Sequence, residues 1–328
     1  MTYLVTISDA ELFELAGADL RVDALARTAE LRLLGSPAET VDERRYRQMF
    51  GIRRFEQTLL DLFDEGLLSG TTHCCIGQEA DAVGVIEHLR PDDHVFSNHR
   101  CHGHYLARTG DARGLLAEIM GRADGVCAGV GGSQHLSTPG FTSNGVLGGT
   151  VANAAGIAMA AQLAHSDAIS VVFVGDGALG EGIVYETLNL AGLWQLPLLV
   201  VCENNGWAQS TPQRDNLSGS IEDRFQAFGF PVRSVATTDV RVVADIAGQE
   251  VAATRGAGPR ALVIETYRLC HHSKNDDNRP EEEVAARWEQ EPLSVHEGRV
   301  GGPARSRIEQ EVELAIAELV TEFREDGS

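Results

Sequence analysis

The chain is expected to fold as an α/β protein with a mostly parallel sheet flanked by helices. Three observations predict it. Residues 169–174 (ISVVFV) and 196–201 (LPLLVV) are apolar runs of strand length. Between them, Val184, Leu188 and Ala191 recur at helical spacing. Residues 230–268 hold two further strand-like runs with a helical stretch between them. Strand–helix–strand alternation brings the two strands side by side and parallel, through a right-handed crossover.

The remaining elements follow in chain order. Residues 1–40 read as an N-terminal extension carrying a short helix or two, and Gly35-Ser36-Pro37 reads as its linker. From Asp42 to Glu65 an apolar stripe of Met49, Ile52, Phe55, Leu59, Leu62 and Phe63 predicts a long amphipathic helix. Residues 79–89 predict a second helix, 95–108 a histidine-rich strand and loop, and 115–121 a further helix. Residues 125–149 are glycine-rich and expected to be loop, and 150–163 form a helix of small residues. Helices over 281–288 and 308–323 complete what is expected to be a single domain over 41–328. The chain contains no internal repeats.

Composition narrows the function. The 328 residues include 48 acidic and 27 basic side chains, a formal charge of −21. That balance opposes a nucleic-acid partner or an anionic membrane surface. It leaves room for an anionic cofactor, because local donors decide such binding. No apolar run approaches the roughly 20 residues that cross a bilayer. The acidic N-terminus lacks the basic start of a secretory signal. Six cysteines without a CxxC pair are expected to be reduced thiols of a cytoplasmic protein.

Two polar clusters carry the chemistry. Gly175-Asp176-Gly177 ends the first apolar run, and Glu203-Asn204-Asn205 ends the next. Both fall at the carboxyl edge of a parallel sheet, where open α/β sheets bind ligands. The Asp176 carboxylate and the Asn205 amide oxygen can share one hard cation. Mg²⁺ takes about six oxygens and commonly draws some from a phosphate. The glycines let backbone approach that phosphate, and a following helix points its partly positive N-terminus at it. The plain alternative for the tripeptide alone is a tight strand-to-helix turn. Arg100 offers a guanidinium fork suited to phosphate oxygens, or else a surface ion pair. His94, His99, His102 and His104 are crowded enough to suggest zinc, but no Cys/His spacing completes a structural zinc site. His272 follows a predicted strand at the same edge and suits proton exchange near neutral pH; otherwise it is a solvated loop residue.

GDG, then a helix, a strand and NN resembles the thiamine-diphosphate motif. From about Arg45 to Trp288 the chain resembles the α subunit of the thiamine-diphosphate-dependent 2-oxo acid dehydrogenases, which act on pyruvate, branched-chain 2-oxo acids or acetoin. Six segments match in order. They are Cys75-Ile76-Gly77-Gln78-Glu79-Ala80, His99-Arg100-Cys101-His102-Gly103, Gly131-Gly132-Ser133-Gln134-His135, Gly145-Val146-Leu147-Gly148, the GDG…NN unit, and Tyr267-Arg268 with His271-His272-Ser273-Lys274-Asn275-Asp276. The resemblance implies a thiamine-diphosphate-binding fold holding thiamine diphosphate and Mg²⁺. It places Asp176, Asn205 and the Trp207 carbonyl at the metal, and Gly175, Gly177, His99, Arg100 and His272 at the diphosphate. Gly145 and Leu147 fall at the aminopyrimidine, and His272 and His102, the latter near the active-site channel, fall in catalysis. His99 departs from the family's usual tyrosine; an imidazole N–H can replace the hydroxyl.

The glutamate that activates the cofactor in this family belongs to a β subunit, and no glutamate here stands where the pattern would make it the activator. The chain therefore reads as half of an active site, expected in an α₂β₂ assembly, with Thr150–Met159 offering small residues for close packing between subunits. Three functions stay open. The first is an oxidoreductase component that cleaves a 2-oxo acid or acetoin and passes the acyl unit to the lipoyl group of an acyltransferase. The second is an acyloin-forming or transketolase-like carboligase, to which His99, Val130, Gln134 and the N-terminal extension point. The third is a non-catalytic structural partner.

Overall fold

A computed structural model describes residues 33–68, 70–273 and 277–325. The expected helices of the N-terminal extension before residue 33, and Lys274, Asn275 and Asp276, lie outside the described residues.

The sheet is seven-stranded. In chain order its strands are β1 (His94–Ser97), β2 (Ser137–Thr138), β3 (Phe141–Ser143), β4 (Ser170–Gly175), β5 (Leu198–Asn204), β8 (Val232–Ala236) and β9 (Arg260–Glu265), and β6 (Trp207–Ala208) and β7 (Thr211–Pro212) form a separate hairpin. The spatial order is β2-β3-β1-β4-β5-β9-β8. Every pair is parallel except β2–β3. The expected α/β class and mostly parallel sheet are therefore present.

Alternation along the central strands builds two cores. Val171, Phe173, Leu199, Val201, Leu262 and Ile264 face one layer of helices. Val172, Val174, Leu198, Val200, Cys202 and Val263 face the other. The strands are apolar on both faces because helices cover both.

The first layer holds α1 (Val41–Asp64), α2 (Glu79–Ile86), α3 (His102–Thr109), α4 (Ala112–Ile119), α9 (Val240–Ala257) and α12 (Gly302–Glu325). The second holds α5 (Leu147–Leu163), α6 (Gly182–Trp194) and α8 (Ile221–Gln226). Helix α1 starts at a capping box, in which Glu43 N–H donates to Thr40 Oγ1 at 3.2 Å and Thr40 N–H donates to the Glu43 carboxylate at 2.7 Å. Its expected stripe of Met49, Ile52, Phe55, Leu59 and Leu62 is buried, with Phe63 at the margin.

Three expectations need correction. The loop expected after residue 97 is helix α3. Its residues 102–107 are all buried, and at eight residues it is too short for a helical period to stand out in the sequence. The glycine-rich stretch 125–149 holds β2, β3 and the first turn of α5. The GDG turn does not lead straight into an α-helix, because a 3₁₀ turn over Asp176–Gly180 intervenes. The small residues of α5 divide: Ala154, Ala155 and Ala158 are buried in the chain's own core, while Gly156, Ile157 and Ala160 are exposed. Two further short helices, α7 (Gln213–Asn216) and α11 (Pro292–Glu297), join the expected α10 (Glu281–Trp288). Among the described residues no helix is long and apolar enough to cross a membrane.

Candidate active site

The carboxyl ends of five parallel strands converge on one place. Register sets Gly175 of β4 beside Glu203 of β5, and Asn204 beside Glu265 of β9. Asp176 and Asn205 are the next residues out of their strands. Strand β1 runs into Asn98, His99 and Arg100, β3 into Asn144 and Gly145, and β9 into the loop carrying His272.

A cavity of 390 Å³ opens there. Its lining includes His99, Arg100, Gly145, Leu147, Gly175, Asp176, Gly177, Asn205, Trp207 and His272. Those positions, scattered over 174 residues of sequence, are brought together. His102 is the exception. Its ring is wholly buried behind the cavity, with Nδ1 3.2 Å from Glu56 and Nε2 3.0 Å from Ser133 Oγ. It does not line the cavity, where the resemblance implies a place near the channel.

Asp176 dominates the electrostatics. It is 1% exposed, and neither carboxylate oxygen makes a hydrogen bond of ordinary geometry, although the backbone N–H groups of Asp176, Gly177 and Asn205 lie near enough to favour its ionised form. Burial, helped by Glu265, pushes its pKa up to about 6. A buried carboxylate with neither oxygen in a well-formed hydrogen bond is a donor that suits a hard cation. Asn205 Oδ1 accepts from Trp207 N–H at 3.1 Å, a turn that keeps the amide oxygen at the site. A Cβ added at Gly175 would meet no protein atom within 4 Å, so ligand can approach the backbone there. One at Gly145 would stand 2.6 Å from Gln134 Oε1.

Among the described residues, Arg100 is the one arginine of the lining. Arg100 is buried, and burial pulls its pKa down. Its backbone N–H donates to Asn98 Oδ1 at 2.7 Å, and its guanidinium donates to the Cys74 carbonyl and lies 3.5 Å from His272 Nδ1. Burial and the Arg100 charge hold His99 well below the ordinary histidine pKa, so its ring is neutral at pH 7. The four histidines weighed together for zinc do not form one site. His94 meets Thr142, His102 meets Glu56, His104 meets Ser97, and only His99 enters the cavity.

Sequence reasoning did not single out His73, Gln78, Asn98, Glu181 or Glu203 as site residues, and all five line the cavity. Gln78 and Glu203 belong to quoted motifs, which is the signal that was available. Asn98 bridges the walls by donating to the Glu203 carboxylate at 3.0 Å.

The family model of the dehydrogenase E1 component matches residues 47–324. The chain belongs to the dehydrogenase E1 component family. Among its relatives, the α subunit of acetoin:2,6-dichlorophenolindophenol oxidoreductase of Bacillus subtilis is 39% identical over 236 residues, covering 70% of this chain and 71% of the relative. The pyruvate dehydrogenase E1 α subunit of Zymomonas mobilis is 40% identical over 242 residues, 71% of this chain and 68% of the relative. That of Rhizobium meliloti is 37% identical over 267 residues, 79% and 77%. The resemblance carried by the ordered motifs is thus to the family found. Membership brings thiamine-diphosphate-dependent oxidoreductase chemistry to this E1 chain.

Proposed function

We propose that this E1 chain is the α subunit of a thiamine-diphosphate- and Mg²⁺-dependent dehydrogenase that cleaves a 2-oxo acid or acetoin and passes the acyl unit to a lipoyl-bearing acyltransferase in the cytoplasm. The observation that carries the reading is the buried carboxylate of Asp176 at the strand edge, with neither oxygen in a hydrogen bond of ordinary geometry, in a cavity that Arg100 also lines. Asp176, Asn205 and the Trp207 carbonyl would hold the metal. Arg100, His99, His272, Gly175 and Gly177 would hold the diphosphate, and Gly145 and Leu147 the aminopyrimidine.

When bound, the cofactor would supply a nucleophilic carbon for reaction at the substrate carbonyl. The residues of this chain orient it and handle protons. His272 exchanges a proton with the substrate oxygen while Arg100 beside its Nδ1 fixes the ring. His102, lying outside the cavity, acts as a positioning residue by holding Ser133 next to Gln134 of the lining.

A β subunit would complete the site with the activating glutamate, in an α₂β₂ assembly. The names of the relatives as α subunits support a β partner. So does an apolar surface on α5 and α6. Leu163 and Leu193 are each 70% exposed and Trp194 is 44% exposed, and Gln162 donates to the Trp194 carbonyl, so these residues are neighbours. Residues 41–328 would act as one cofactor-binding domain, with 1–40 an extension.

Calorimetry on the chain with its β partner tests the reading. Thiamine diphosphate should bind in the presence of Mg²⁺, and Asp176→Ala should abolish binding. Unchanged affinity in that variant would overturn the site.

A further inference from the structure

Three histidines from three distant segments meet on one wall of the cavity. His73 precedes α2, His99 follows β1, and His272 lies beyond β9. Their ring centroids are 4.6 Å apart for His73–His99, 4.8 Å for His73–His272 and 5.2 Å for His99–His272. One ring nitrogen from each lies within 4.8 Å of the others. No spacing in the sequence announces this set, because the sheet edge assembles it.

We propose that His73, His99 and His272 bind Zn²⁺ and that this ion excludes the diphosphate of the cofactor from the cavity. The second half rests on the functional reading above, which seats a diphosphate against the same wall.

The ligand chemistry is selective. Imidazole nitrogen suits zinc and its transition-metal neighbours, whereas Mg²⁺ requires oxygen. The cavity therefore offers two classes of donor, oxygens at Asp176 and Asn205 and nitrogens at the three histidines. Zinc bound by nitrogens at about 2.0–2.1 Å in tetrahedral geometry needs them about 3.4 Å apart. Side-chain rotations of about one ångström bring this set to that spacing. Three protein ligands leave a fourth position open, the arrangement of an exchangeable site rather than a closed structural one.

A second observation points to a ligand. His99 Nε2 is shielded from solvent and has no hydrogen-bond partner, although a buried ring nitrogen ordinarily finds one. Charge is the obstacle, since Arg100 stands 3.5 Å from His272 Nδ1. Asp176, Glu181 and Glu203 line the same cavity and outnumber it. An ion held by these histidines would occupy the wall on which Arg100 meets a phosphate. The two ligands therefore compete for position as well as for the His99 and His272 rings.

The test starts with the full chain, stripped of metal and titrated with Zn²⁺ against a zinc-binding dye, without cofactor. One equivalent should bind, and Co²⁺ in its place should show the visible absorption of a tetrahedral nitrogen site. His99→Phe and His73→Phe, each checked for folding by circular dichroism, should weaken zinc by more than about tenfold, the lower end of what a lost supporting residue costs at metal sites. Absence of stoichiometric binding, or undiminished binding in both folded variants, overturns the site. On the chain paired with its β partner, thiamine diphosphate with Mg²⁺ should raise the apparent zinc Kd. Zinc binding indifferent to a cofactor that itself binds overturns the exclusion. Failure of the cofactor to bind zinc-free protein would instead overturn the diphosphate reading, leaving the zinc titration to stand on its own result.

Discussion

Burial of Asp176 sets a conflict between folding and function. Its folded pKa of about 6 lies above the ordinary carboxylate value, so the folded state holds the proton more tightly than the unfolded chain. The contribution of this group to stability is thus greatest below about pH 4 and is lost as pH rises through about 6. A divalent cation reverses the sign, because it binds the ionised form. Asp176→Asn should therefore melt higher than the natural chain at pH 7 without metal, and should flatten this part of the pH dependence, yet lose Mg²⁺-dependent cofactor binding. Thermal melts at pH 4–8 with and without metal check both statements. His272 makes a different prediction. It lies half-buried in a loop, and its ring meets His73 and His99 of the cavity rather than the apolar core, so His272→Ala should lower turnover by roughly 10²–10⁴ while shifting Tm little. Parallel losses of activity and Tm would return this residue to a structural role.

Element by element, the site depends on carboxylates that never touch it. Glu118, at the end of α4, is fully buried, and its carboxylate accepts from the backbone N–H of Cys127, Gly129, Gly131 and Gly132 at 2.6, 2.9, 2.7 and 3.1 Å. Four donors on one side chain shape the glycine-rich loop that leads to Gln134 in the cavity lining. Glu118→Ala leaves those N–H groups to water or unpaired, a loss of about 1–3 kcal/mol or more. We expect a lower Tm, faster amide exchange over 127–132 and weaker cofactor binding, with Glu118→Gln intermediate. Glu79 does similar work for the loop before α2. It accepts from Gly77 N–H at 3.0 Å and pairs with Arg53 at 2.6 Å. Gly77 has φ +98°, and a Cβ there would stand 2.4 Å from the Tyr267 carbonyl, so Gly77→Ala should destabilise by both strain and collision. Elements with a clear period were legible in the sequence. The central strands are runs of apolar residues, and α1 carries a stripe above a capping box. Helix α3 was not legible, because it is buried on nearly every side and Cys101 gives it no side-chain cap. The site divides the same way. Asp176, Asn205, Arg100 and His272 sit just past strand ends and were readable from that position and the motifs. His73 lies in a loop without pattern, and only the tertiary fold carries it to His99.

At the scale of the molecule, two features fit the proposal that the chain works with a β partner. The cavity opens at the sheet edge, and the outer surface of α5 and α6 leaves Leu163, Leu193 and Trp194 exposed. The purified chain alone should show almost no turnover and weak cofactor binding, and adding a β partner should restore both. Robust turnover by the single chain would refute the half-site reading. The acyl acceptor then separates the remaining enzymatic alternatives. A dehydrogenase and a carboligase would use the same Asp176–Asn205 metal site, so variants of that site cannot distinguish them. They diverge once the substrate bond has been cleaved. The paired subunits, given pyruvate or acetoin, should reduce an artificial electron acceptor and acylate a lipoyl domain. A carboligase would instead release a new hydroxyketone when an aldehyde or sugar is supplied. The family assignment favours the first outcome, since the relatives at 37–40% identity bear oxidoreductase or dehydrogenase names. Both acceptors should be offered side by side to the same preparation. Efficient hydroxyketone release with neither electron-acceptor reduction nor lipoyl acylation would transfer the assignment to carboligation, while leaving the cofactor site where the sheet edge puts it.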